Sequence, residues 1–176
     1  MANREALREL QTRLASRLQA ARTGPATLSW LAVRAGQANY LFPLEQAGEI
    51  FPLANVQHVP YCRAWFMGVT NLRGGLFGVV DLASFVDDGA KRTKTEQVLA
   101  QASVITFGAS LELNCALMVD ALAGLRKPEA FSEEAPPAPG SPVYCGKRFV
   151  EPGGVQWQEI KLQTLSQYPE FLNISA

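Results

Sequence analysis

The chain has 176 residues, 48% of them hydrophobic and 18% charged, the balance of a globular domain with a proper core. Sixteen Lys and Arg offset 16 Asp and Glu. Zero net charge argues against non-specific nucleic-acid binding, which lives on phosphate neutralisation, and no apolar run reaches the roughly 18 residues of a membrane span. In chain order, residues 3–21 predict a helix. Leu7, Leu10, Leu14 and Leu18 recur at helical steps and draw one apolar stripe, with Arg4, Arg8, Arg13 and Arg17 on the other faces, lightened by Glu5 and Glu9. Thr23-Gly24-Pro25 is the stop signal. So narrow a stripe suits a helix packed on its own domain and equally one that docks in a partner's groove. The arginine-rich start has no apolar segment of a secretory leader, so the expected compartment is the cytoplasm.

Residues 28–34 and 38–43 predict a hairpin turning at Ala35-Gly36-Gln37 and ended by Pro43. Glu49 follows, next to Ile50 and Phe51, either a plain strand-edge charge or one at the rim of an apolar groove. Pro60 fixes the entry to a helical turn that carries Trp65 and Phe66, with Trp65 expected in the core. Gly68 to Leu82 then predicts the central hairpin. Val69, Thr70 and Leu72 form one strand, Leu76, Phe77, Val79 and Val80 the other, and Arg73-Gly74-Gly75 the loop. Arg73 is thus a charge on a tight turn, which suits recognition and suits an ordinary solvated turn as well.

Leu82 to Val86 predicts a helical turn, and the polar stretch from Asp87 to Glu96 is the natural divide between two lobes. Beyond it, Ala102 to Phe107 and Leu111 to Met118 predict strands, the second continuing towards Leu125. Residues 135–142 form a proline-rich surface connection. Residues 143–150 and 155–162 predict a last hairpin with Val155, Trp157 and Glu159 on one side, and Leu165 to Leu172 a short amphipathic end. Cys62, Cys115 and Cys145 show no metal spacing and read as reduced, packed thiols. His58 is the only histidine, so a His-based metal site is not available, and no cofactor is expected.

The order Trp65-x-x-Gly68-Val69-x-Asn71-Leu72-Arg73-Gly74, an apolar strand and Asp81-Leu82 resembles the core of the CheW-like adaptor family. The strand from Tyr40 to Pro43, Glu49-Ile50 and Val59-Pro60 stand upstream in the order that family uses, and Val119-Asp120 match its later strand pair. The resemblance runs over roughly residues 29–165 and is sharp from Tyr40 to Leu82. The leading helix, Phe131-Ser132-Glu133 and the ending Tyr168 to Leu172 look most like the PilI type, the adaptor of the type IV pilus twitching pathway. Two positions depart from the pattern: Gly78 where the family has proline, and Lys161 where it has an acidic residue.

The resemblance implies a mainly β fold: two small SH3-like β-barrel lobes around a shared hydrophobic core, with an N-terminal helix. It divides the chain into a helical extension at 1–25 and a CheW-like domain at 26–176 whose lobes exchange near 87–100. It implies a scaffold with no catalytic residues, coupling the cytoplasmic tip of a methyl-accepting chemoreceptor to the regulatory domain of a CheA-like histidine kinase. The positions carried over are Ala47, Glu49 and Arg73 on the receptor side and Gly68 on the kinase side, with Glu49 and Arg73 expected to pair. Three other classes compete. A small hydrolase would need a base, metal cluster or nucleophile elbow beside its carboxylates, a nucleic-acid barrel would need a basic face with exposed aromatics, and a free-standing structural subunit would bind neither a receptor tip nor a kinase domain.

Overall fold

The computed structural model describes residues 2–23, 28–89 and 92–176. The expected helix stop at Gly24-Pro25 and the domain boundary beside it lie outside those residues. Helix α1 (Ala2–Thr23) leads into β1 (Trp30–Ala35), β2 (Ala38–Pro43) and β3 (Ala47–Pro52). The central hairpin is β4 (Phe66–Leu72) and β5 (Gly75–Asp81), followed by α2 (Leu82–Val86) and α3 (Glu96–Gln101). Then come β6 (Ser103–Phe107), β7 (Cys115–Val119), β8 (Ala121–Arg126), β9 (Glu133–Ala135), β10 (Cys145–Val150) and β11 (Gln156–Ile160). Two short helices, α4 (Leu162–Leu165) and α5 (Pro169–Leu172), close the chain.

The strands form two sheets, ordered β8-β1-β2-β11-β10-β9 and β3-β6-β7-β5-β4, neither hydrogen-bonded into a closed barrel. Sheet membership does not follow chain order. Strands β6 and β7, beyond the polar stretch, pair with β3 and, in parallel, with β5. The opening hairpin β1–β2 joins the later strands β8 and β11.

Alternation along the strands explains why they read as unbroken apolar runs. In β7, Cys115, Leu117 and Val119 enter the shared core between the sheets, while Ala116 and Met118 enter a second core within the five-stranded sheet. In β1, Leu31 and Val33 face the shared core while Trp30 and Ala32 face a third, with Leu41, Phe149 and Trp157. Successive side chains of a strand point to opposite faces, so a strand between two cores must be apolar at every position. The result is mainly β: two lobes, each with a core of its own, around a shared one.

Several elements depart from the sequence reading. The strand expected from Leu111 begins at Cys115, because Ala109–Leu111 make a 3-10 turn and Glu112 ends it in the left-handed region, φ 51°. Its continuation breaks at Asp120, whose N–H donates to the Arg34 carbonyl at 2.8 Å. Helix α3 was not anticipated; Thr95 caps it by accepting the Val98 N–H at 3.2 Å. Trp65 is core, as expected, and stacks on Phe171. The three cysteines are free, and burial pushes the Cys115 thiol up to about 12 and raises that of Cys145.

Helix α1 packs at home. Leu14 and Leu18 enter the shared core and the Gln11 side-chain amide donates to the Ser103 hydroxyl at 2.9 Å. Leu10 on the same stripe is about half exposed, 47%.

A half-buried charge cluster around the fully buried Asp81 fastens the sheets together. Arg92 donates to both Asp81 oxygens and to both Asp120 oxygens. Lys94 reaches Asp81 at 2.9 Å, as does the Ser84 hydroxyl at 2.8 Å. Asp120 also accepts the N–H of Gly36 in the β1–β2 turn at 2.8 Å. Burial by itself pushes the Asp81 carboxyl up; the hydrogen bonds from Arg92, Lys94 and Ser84 outweigh it and hold the group below its ordinary range.

Candidate partner-binding groove

The central hairpin turns more tightly than the sequence suggests. Leu72 pairs directly with Gly75, leaving a two-residue turn of Arg73 and Gly74 at φ 51° and 81°. Positive φ at both central residues is what a type I′ hairpin needs. Asn71 supports it by accepting the Gly74 N–H at 3.0 Å. The left-handed conformation costs little at glycine and of order 1 kcal/mol at a residue such as arginine. The turn therefore holds Arg73 outward on a rigid base against its own preference.

Glu49 comes from the opposite edge of the same sheet. The β3–β6 register shifts between Ala47 and Ile50. In that irregularity the Thr106 hydroxyl accepts the Glu49 N–H at 2.7 Å and donates back to the Glu49 carbonyl at 3.4 Å. A β-bulge re-aims a side chain in this way. Gly48 is obligatory beside it, since a Cβ would overlap the Thr106 hydroxyl and lie 2.7 Å from the Thr106 carbonyl oxygen.

Strands β3 and β4 are the two edges of the five-stranded sheet, yet Arg73 Nε stands 3.0 Å from Glu49 Oε2. The sheet is curled until the hairpin tip meets the far edge, and the ion pair spans the gap. The segment after β3 follows the same curl, since Gln57 and Val69 exchange backbone hydrogen bonds and the Thr70 hydroxyl donates to the Ala54 carbonyl. Between the edges lies an open groove of about 520 Å³, floored by Phe51, Phe77 and Leu113 among others. The Arg73 guanidinium lies 6.0 Å from the Phe51 ring centre. Both charges are well exposed, 75% for Arg73 and 47% for Glu49, so the pair is worth only ~0.5 kcal/mol of stability.

The four carried-over positions thus fall into two kinds. Glu49 and Arg73 meet at the groove mouth. Ala47 is fully buried, in register with Phe107, and its side chain belongs to the shared core. Gly68 is buried on β4 at φ 137°, where a Cβ would overlap the Gln57 carbonyl and lie 3.0 Å from His58 Cα. Glycine is needed there for the backbone alone. Gly78 is similarly close-packed, a Cβ there lying 2.9 Å from the Phe66 ring. Sequence reasoning missed Thr106, which carried no signal beyond that of a strand residue, and Glu112 on the facing turn. Among the described residues no three potential metal ligands cluster, and no helix is long and apolar enough to cross a membrane.

Comparison with known proteins agrees with this architecture. The family model of the CheW-like domain matches residues 29–144. Protein PilI of Pseudomonas aeruginosa is 26% identical over 167 residues, covering 93% of this chain and 89% of that protein. The crystal structure of the scaffolding protein TtCheW from Thermoanaerobacter tengcongensis superposes with a TM-score of 0.62 at 18% identity, over 80% of this chain and 88% of that one. By that match and by the two-sheet fold, the chain belongs to the CheW-like domain family, as a scaffold or adaptor rather than an enzyme.

Proposed function

We propose that this chain couples the cytoplasmic tip of a chemoreceptor to the regulatory domain of a CheA-like histidine kinase, in the cytoplasmic pathway that controls type IV pilus twitching motility. The observation that carries the receptor half is the Glu49–Arg73 pair at the groove mouth. It is held in place by an unfavourable turn and a bulge, yet contributes little to stability. Charges positioned rigidly and left exposed are suited to a partner that covers them, because desolvation strengthens them. Ala47, buried in the shared core and not lining the groove, is proposed on the receptor side from the family resemblance alone. The similarity to PilI supports the pathway, and Gly68 is proposed on the kinase side from the family resemblance alone.

The test is co-purification with a soluble receptor cytoplasmic fragment and, separately, with a kinase regulatory domain. Glu49→Arg and Arg73→Glu should each lose the receptor fragment and keep the kinase domain, and the double swap should regain the fragment. A double swap that binds no better than the single variants would falsify the pairing. Gly68→Arg is a poor probe of the kinase side on its own, since the new side chain must displace the Gln57 backbone. Its melting temperature has to be recorded beside its binding.

A further inference from the structure

We infer that Glu112 is a third charged contact of the groove and selects a partner helix that presents a basic side chain to it. The inference rests on the receptor-side reading above and adds the chemistry of the occupant. Strands β5 and β7 are parallel neighbours, Gly78 in register with Cys115, so the turns that precede them lie at the same end of the sheet. Arg73 sits on the first turn and Glu112 on the second, and both line the groove together with Phe51, Phe77 and Leu113. Each is a non-glycine residue at φ 51°. Glycine or asparagine would occupy either position with less strain, and strain of this kind concentrates where a side chain is needed.

The charges are not balanced. Glu49 and Arg73 neutralise one another, whereas Glu112 is exposed and makes no ion pair among the described residues. The groove keeps one net negative charge, located at Glu112. The groove is open and carries Phe51, Phe77 and Leu113 in its lining, so the apolar side chains of one helix face can seat in it. The occupant that fits is one amphipathic helix of the receptor's cytoplasmic tip. Its apolar residues seat on Phe51, Phe77 and Leu113, and a Lys or Arg about one turn away meets Glu112.

Titration calorimetry of the purified chain with a soluble receptor cytoplasmic fragment tests this, with the kinase regulatory domain as a second arm. Glu112→Lys should weaken the receptor fragment by about tenfold or more, because it puts like charges face to face. Glu112→Gln should weaken it by about threefold, with a smaller salt dependence than wild type. Glu112→Gly should behave like Glu112→Gln while melting no lower than wild type, since it relieves the left-handed backbone. Kinase affinity should stay within about twofold throughout, as expected for sites with no shared contacts. If Glu112→Lys binds the fragment as wild type does, the inference falls and the groove reading stands. If Glu112→Gln and Glu112→Gly lose the kinase domain equally, the role is structural and the inference falls too. Wild-type protein that binds no receptor fragment overturns both.

Discussion

Strand β5 has a charge cluster at each end, and the two are built to different ends. At its start, Arg73 meets Glu49 in the open, one contact between exposed side chains. At its finish, Asp81 is wholly buried and receives hydrogen bonds from Arg92, Lys94 and Ser84, while Arg92 reaches on to Asp120. The buried cluster joins the end of one sheet to the crossover and the opening turn of the other, so breaking it leaves a charge stranded in the core. The exposed pair joins two edges that backbone bonds to the segment after β3 already hold near one another. Removing it leaves two solvated side chains. One cluster therefore specifies the fold, and the other is free to be specified by a partner.

The largest expected effect is at the buried end. Arg92→Leu should cost about 3 kcal/mol, a fall of roughly 10 °C in melting temperature, because Asp81 keeps only Lys94 and Ser84. Thermal and urea unfolding at neutral pH would show it, and a loss of under 1 kcal/mol would erase the distinction between the clusters. Gly68→Ala comes next, at about 2 kcal/mol or more, since a left-handed backbone and an overlap with Gln57 are both imposed. If that variant melts like wild type, Gly68 is held for a partner and not for the backbone.

The pH dependence sharpens the contrast. The folded-state pKa of Asp81 is depressed below its ordinary 3.8. Its contribution to stability is then complete above about pH 4 and is lost as pH falls through the lower folded value. Wild type should destabilise steeply in that acid window. Asp81→Asn should be less stable at neutral pH and show a flatter acid limb, the two curves converging at low pH; parallel curves would remove Asp81 from the account. Smallest of all, Arg73→Asn should leave stability unchanged or raise it by ~0.5 kcal/mol, since asparagine suits a type I′ turn. The same variant should lose the receptor fragment, and the opposite pattern would make Arg73 a structural residue.

Much of the fold was legible in local pattern. The leucine stripe gave α1, glycine-bearing turns gave the hairpins, and Trp65 read as core. The Glu49–Arg73 pair was anticipated through family resemblance, not through spacing, because the two residues sit on opposite edges of a sheet and meet only when it curls. Nothing local marks Arg92, which lies in a polar stretch like any surface loop, or Thr106, which reads as one more strand residue. Glu112 was hidden by the expectation that the strand ran on from Leu111, when a 3-10 turn occupied that stretch instead.

The sequence by itself determined most of the strands and the glycine-bearing turns between them, because side-chain alternation and glycine placement act over a few residues; the glycine-free turn at residues 109–112 escaped it. Only the tertiary structure decided which strand pairs with which, since β5 beside β7 and β2 beside β11 are parallel contacts between segments far apart in the chain. That pairing put the turns of Arg73 and Glu112 at one end of one sheet, and the curl of the sheet carried Arg73 across to Glu49. The groove is therefore a property of long-range backbone pairing and twist, and no local stretch of sequence contains it.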